Sequence, residues 1–260
     1  MKRKIYTLSH DNDLLKEIDN NGGQFTAEEH TYVIEKEFGQ TVFKTKESLL
    51  RNYLPGNLPK LGSLGFLIDM IRKNEYRNIL SLGAGQCVLE YLLKISLPEE
   101  TKVFACDFDA FFIEKAKQFF PEITVAKFDF FKDEIRSLQH ELNAEFDLAV
   151  FFGSAYVMDE PQFIKLFSDL KKSCVKQIVD FHAGYMDSKG VIRYFLQPLT
   201  RNSIVRKLFC KPPITKESFR GKFHGYSRNR SELRRLYTKS GLRILRENST
   251  SGYKYVAILG

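Results

Sequence analysis

Gly83 and Gly85 lie in the segment Asn78-Ile-Leu-Ser-Leu-Gly-Ala-Gly-Gln-Cys-Val-Leu-Glu90, where strand-forming residues give way to a glycine turn and then to an apolar helix. Such a turn captures ligands. Two glycines let the backbone bend sharply and approach a ligand with no Cβ in the way, and the following helix presents its unpaired N-terminal N–H groups to a nucleotide-like molecule. A dinucleotide fingerprint beginning at Gly83 requires a small residue at position 88, where close packing makes room for a pyrophosphate. The chain has Val88 there, which argues against nicotinamide and flavin dinucleotides. Further along, His182 follows an apolar run in Val179-Asp-Phe-His-Ala-Gly184. Its imidazole is suited to proton transfer near neutral pH; the alternative is a structural, hydrogen-bonded ring.

Alternating elements must position these residues. Apolar runs with branched or aromatic residues predict strands at 78–82, 102–106, 124–128, 146–152 and 177–181, and helical patterns at 88–95, 110–119, 132–141 and 161–172 fall between or after them. Alternation of this kind implies a parallel sheet covered by helices on both faces. A helix over 231–240 stops at Gly241, and strands at 242–247 and 253–259 are separated by only five residues, too few for a parallel crossover. If those two strands pair, they are antiparallel. The expected fold is therefore α/β, a Rossmann-like, mostly parallel seven-stranded sheet ending in an antiparallel strand.

Before the first strand, Leu64, Phe66, Leu67, Met70 and Ile71 recur at helical spacing, whereas Asn20-Asn-Gly-Gly23 and Pro55-Gly-Asn-Leu-Pro59 read as turns. Residues 1–75 are accordingly read as a helical cap or lid and 76–260 as the main domain. The N-terminus has basic residues with no apolar run behind them, and no segment approaches the roughly 18 apolar residues of a membrane span. A cytoplasmic protein is expected. Cys87, Cys106, Cys174 and Cys210 lie far apart with no C-x-x-C pair, which fits free, buried thiols.

The glycine turn, acidic residues after the next two strands and the terminal antiparallel pair make residues of about 76–260 resemble the class I S-adenosylmethionine-dependent methyltransferases. In that family the first strand and turn read hydrophobic-hydrophobic-Asp/Glu-x-Gly-x-Gly-x-Gly, aligned here with Ile79-Leu-Ser-Leu-Gly-Ala-Gly-Gln-Cys87. Ser81 stands where the acid belongs and Cys87 where the third glycine belongs. The resemblance implies S-adenosylmethionine as cofactor, with Gly83 and Gly85 admitting its methionine portion. Without a substituting acid, loss of the charge at Ser81 costs about one to two orders of magnitude in affinity. Asp107, 24 positions beyond Gly83, would accept the ribose hydroxyls. Asp109 reads instead as a helix N-cap. Phe108 would pack against the adenine or into the core, and Asp129 occupies the place of the acid that accepts the adenine amino group. Phe151-Phe-Gly-Ser-Ala-Tyr156 lacks the Asn/Asp-Pro-Pro-aromatic turn of exocyclic-amine enzymes, which lowers the case for adenine N6 chemistry. His182 is the best-placed base, with Tyr156 and His224 as looser candidates.

Charge bears on the acceptor. Residues 171–250 hold 19 Lys and Arg against 5 Asp and Glu, while the whole chain is +8. A basic C-terminal third suggests an anionic substrate or partner surface, although a solvated surface gives the same count. Within it, 184–230 interleaves basic residues with aromatics, a pattern able to bind phosphates and stack on bases. No RNA-recognition signature or zinc knuckle is present. The expected activity is methyl transfer to a small or medium anionic acceptor at oxygen, with an RNA methyltransferase and a catalytically silent interaction module as the alternatives.

Overall fold

The computed structural model describes residues 4–6, 44–130, 132–187, 189 and 224–260. The chain divides into two units, one comprising Met1–Thr41 with Gly184–Arg230 and the other Val42–Ala183 with Ser231–Gly260. In the first unit, strand β1 (Lys4–Tyr6) pairs antiparallel with β7 (His224–Tyr226), and Tyr185 bridges Arg228. Residues 188 and 190–223 of the basic, aromatic-rich stretch, and residues 1–3 and 7–43 of the cap, lie outside the described residues, as does the side chain of His224.

The second unit holds the sheet. Strands β2 (Asn78–Leu82), β3 (Lys102–Asp107), β4 (Thr124–Lys127), β5 (Leu148–Phe152) and β6 (Gln177–Phe181) are followed by β8 (Ile244–Asn248) and β9 (Val256–Leu259). Their order is β4-β3-β2-β5-β6-β9-β8. The first five are mutually parallel, and β9 runs antiparallel to both β6 and β8. The seven strands and the late antiparallel pair are as the sequence implies. Chain order reverses between β2 and β5, so the crevice that open α/β sheets use for ligands lies beyond the carboxyl ends of these strands.

Six α-helices are present among the described residues: α1 (Lys46–Asn74), α2 (Val88–Ile95), α3 (Ala110–Phe119), α4 (Ile135–Leu142), α5 (Glu160–Lys172) and α6 (Arg230–Lys239). Strand alternation sends successive side chains to opposite faces. Phe151 stacks on Phe167 of α5 at 4.9 Å, whereas Phe181, stacked at 5.1 Å on Phe152, meets Phe66 of α1 edge-on at 6.2 Å. Helices thus cover both faces. Asp159 begins α5 with a capping box to Gln162, which fixes where the chain leaves the β5 loop.

Helix α1 corrects the sequence reading. It runs 29 residues without a break through Pro55 and Pro59, where a turn was expected. Both prolines sit on the solvent side, while Leu49, Leu64, Leu67 and Ile71 are buried. An internal proline costs about 3 kcal/mol, and tertiary packing offsets it here. Ser251 donates to the Pro59 carbonyl at 2.7 Å, and the Ser63 and Thr250 hydroxyls lie 2.6 Å apart. The helix is therefore pinned to the loop between β8 and β9.

Candidate active site

The turn after β2 is built from left-handed residues. Gly83 has φ +72° and Gly85 φ +53°, and Cys87, the N-cap of α2, has φ +55°. Cys87 thus adopts the conformation a glycine would, at a cost of about 1–2 kcal/mol. The two glycines differ in surroundings. A Cβ on Gly83 would lie 2.5 Å from the Ser154 Cβ and 2.9 Å from Phe130, whereas one on Gly85 would meet nothing within 4 Å. Gly83 is held tight by the β5 loop, where Ser154 donates to the Leu82 carbonyl; Gly85 faces open space. Gly83→Ala is expected to destabilise the fold by about 1–3 kcal/mol, through strain at φ +72° and the clash with Ser154. A lowered urea midpoint would show it.

Asp107 ends β3 beside this turn and is 8% exposed. Its Oδ2 accepts from Gly85 N at 2.8 Å and its Oδ1 from Asp109 N at 3.1 Å. One carboxylate thereby fixes the glycine turn and the start of the next loop. Asp109 caps α3, accepting from Phe111 N at 2.7 Å and from Phe112 N. Phe108, between them, is 51% exposed, so it is not a core residue. Asp129 follows β4, where its carboxylate pairs with Lys132 at 3.1 Å and its N–H donates to Asp133.

Ser81 and its neighbourhood hold the residue that sequence reading missed. The Ser81 hydroxyl donates to Glu90 Oε1 at 2.6 Å, and Glu90, in the first turn of α2, is 1% exposed. Burial raises the Glu90 carboxyl to about 7, against the pull of the Ser81 bond and of its own backbone N–H; Asp107 adds to the rise and Lys60 opposes it. The folded chain therefore keeps a proton that the unfolded chain releases above its ordinary value of 4.5. Stability contributed by this group falls as pH rises from about 4.5 to 7, by about 3 kcal/mol in all. Denaturant melts of the parent should show that slope, and Glu90→Gln should remove it.

Tyr53 and Lys60 of α1 and Tyr253 before β9 complete this neighbourhood. Burial and then the Glu90 charge push both tyrosine hydroxyls well above their usual range, while burial lowers Lys60. Gly153, at φ +77°, lets the β5 loop close on Tyr253, whose ring would lie 3.2 Å from an added Cβ. Tyr156 follows in a single 3₁₀ turn, Ala155–Val157, and burial raises its hydroxyl too, with a further rise from Tyr253.

At the end of β6, His182 is 1% exposed and its Nδ1 lies 3.0 Å from Asp180 Oδ2. The same oxygen accepts from Tyr237 of α6 at 2.6 Å. A carboxylate oxygen against Nδ1 favours the tautomer that carries its proton there and its lone pair on Nε2. His182 Nε2 and Asp180 Oδ1 are buried and have no hydrogen-bond partner among the described residues. Groups left so cost about 1–3 kcal/mol each, the kind of strain that collects at working sites.

Cys87 and Cys106 are buried, whereas Cys174, just past α5, is exposed, a departure from the expected burial; Cys210 lies outside the described residues. Among the described residues, no cluster suits a metal ion and no helix is long and apolar enough to cross a membrane. A groove of about 360 Å³ lies at the other end of the sheet, lined by Arg72, Tyr76, Arg77 and Thr101 among others. It opens at the amino ends of β2 and β3, away from the glycine turn.

No protein-family model and no curated protein matches the sequence. Solved structures do. A S-adenosylmethionine-dependent methyltransferase from Clostridium acetobutylicum ATCC 824 matches with a TM-score of 0.53 and 13% identity, over 81% of this chain and 95% of that one. Human N-acetylserotonin methyltransferase, solved in complex with SAM, matches with a TM-score of 0.53 and 16% identity, over 95% of this chain and 64% of its own. The pyocyanin biosynthetic protein PhzM gives 0.55 and 10% identity, over 95% of this chain and 67% of its own. The chain has the fold of the class I S-adenosylmethionine-dependent methyltransferases.

Proposed function

We propose that this protein is a S-adenosylmethionine-dependent methyltransferase acting on a small or medium anionic acceptor at oxygen. The observation that carries the cofactor reading is the glycine turn at the reversal of strand order, with Asp107 of the adjacent strand bonded to Gly85 N at 2.8 Å and the side of Gly85 open. The residues present fit the cofactor. Asp107, at the end of the strand beside the turn, is a carboxylate of the kind that accepts from ribose hydroxyls, the exposed Phe108 offers a ring to the adenine, and Asp129 follows the next strand along. Bound S-adenosylmethionine supplies an electrophilic methyl group.

The chain's own residues would do the rest. The turn and Asp107 orient the ligand, and orientation of this kind is worth several orders of magnitude in rate. His182 takes the proton of the acceptor hydroxyl at Nε2, with Asp180 holding the ring and Tyr237 holding Asp180. Tyr156 and Tyr253, kept protonated by burial, are hydrogen-bond donors to an anionic acceptor.

The silent-module alternative rested on Ser81 and Cys87. Cys87 adopts the left-handed turn without glycine, and Ser81 is joined to a carboxylate, which supports the active reading over the silent one. The RNA alternative depends mainly on residues outside those described. Incubation with S-adenosylmethionine and a panel of anionic metabolites should yield S-adenosylhomocysteine with at least one member. Turnover with RNA alone would move the assignment to nucleic acid.

A further inference from the structure

We infer that Glu90 is the group that receives the α-ammonium of the cofactor, taking over from helix α2 the charge that the family places on the first strand at position 81. This rests on the cofactor reading above. A side-chain carboxylate on the strand would project from Ser81, two residues before the glycine turn. Here the hydroxyl of Ser81 instead reaches 2.6 Å to Glu90 Oε1, so the serine orients a carboxylate supplied from the helix that the same turn begins.

The electrostatic surroundings of Glu90 call for a cation. Tyr53 and Lys60 of α1, Tyr253 of the loop before β9, Asp107 at the end of β3 and the buried Cys87 and Cys106 are the titratable groups that act on it or feel its charge. Among the described residues Lys60 is the one cation of this set, and its influence on Glu90 is the smallest of those acting there. A carboxylate that is 1% exposed, with a hydroxyl as its side-chain partner, is costly when ionised. A ligand ammonium arriving over the open side of Gly85 would supply the missing charge. Glycine at 85 leaves that approach clear.

Two consequences separate this role from a purely structural one. First, Glu90 is largely protonated below pH 7 before the ligand binds, and a neighbouring ammonium would displace that proton. Below about pH 7 the ligand amine is already charged, so binding should release a proton to the buffer. Second, only ligands that carry the amino-acid portion should feel Glu90. Methylthioadenosine, which lacks it, should not.

The test is calorimetric titration of the full chain at pH 6.5 in buffers of different ionisation enthalpy, with S-adenosylhomocysteine and methylthioadenosine, for the parent and Glu90→Gln. The parent should release on the order of half a proton with S-adenosylhomocysteine and almost none with methylthioadenosine. Glu90→Gln should bind S-adenosylhomocysteine about 10- to 100-fold more weakly, release no proton, and keep its methylthioadenosine affinity, which also reports an intact pocket. Parental affinity for S-adenosylhomocysteine in the variant, or no proton release in the parent, overturns the role of Glu90 and leaves the cofactor reading standing. Failure of the parent to bind either ligand overturns both.

Discussion

Asp107→Ala is expected to weaken S-adenosylmethionine binding by about 10²–10⁴-fold. The carboxylate acts twice. It fixes Gly85 N at 2.8 Å and Asp109 N at 3.1 Å, and it is the proposed acceptor for the ribose hydroxyls. Hydrogen bonds to a charged group are worth about 1.5–3 kcal/mol each, and losing two of them gives that range. Asp107→Asn should fall between parent and alanine variant, because an amide keeps one acceptor oxygen. Thermal melts in parallel distinguish a lost ligand contact from a collapsed turn. An alanine variant that stays folded and binds as tightly as the parent would sink the assignment of Asp107.

His182→Ala should lower kcat by about 10²–10⁴-fold, the usual range for removing a general base, while leaving S-adenosylmethionine affinity within about twofold, since binding and proton transfer are assigned to different residues. The measurement is formation of S-adenosylhomocysteine with an acceptor found in the metabolite panel. Asp180→Asn tests the arrangement behind it. An amide in place of the carboxylate no longer favours the proton on Nδ1, so Nε2 loses its lone pair in part of the population and kcat falls while the ring stays in place. Parental turnover by His182→Ala would reduce the histidine to a structural, hydrogen-bonded ring.

Much of this site is legible from sequence because its signals are local. Gly83 and Gly85 mark a turn by residue type alone, Asp109 reads as an N-cap from its place before a helical run, and Asp107 follows from strand alternation. The acids and the turn fall at the carboxyl ends of neighbouring strands because parallel order puts them there. Glu90 was hidden for the opposite reason. Nothing at its position in an apolar helix says that it faces Ser81 across a strand–helix contact, and its neighbours Tyr53, Lys60 and Tyr253 are distant in sequence. Helix α1 was misread at Pro55–Pro59 on the same ground. Local preference spoke for a turn, and contacts to Thr250 and Ser251, 187 and 192 residues away from their partners, decided for a helix.

His182 lies between these cases. Its position after β6 could be read from the apolar run. Its pairing with Asp180 two residues before it follows strand periodicity, because both side chains leave the same face. Tyr237, which completes the arrangement, comes from α6 and 57 positions away from Asp180. No spacing in the sequence announces that contact.

Calorimetric titration of the purified protein with S-adenosylmethionine and S-adenosylhomocysteine, with NAD as the control ligand, tests the central claim most directly. Micromolar binding of the first two and none of the third is the expected result, in keeping with the open side of Gly85 and with Val88 where a pyrophosphate would need a smaller residue. Binding of NAD, or of none of the three, would contradict it.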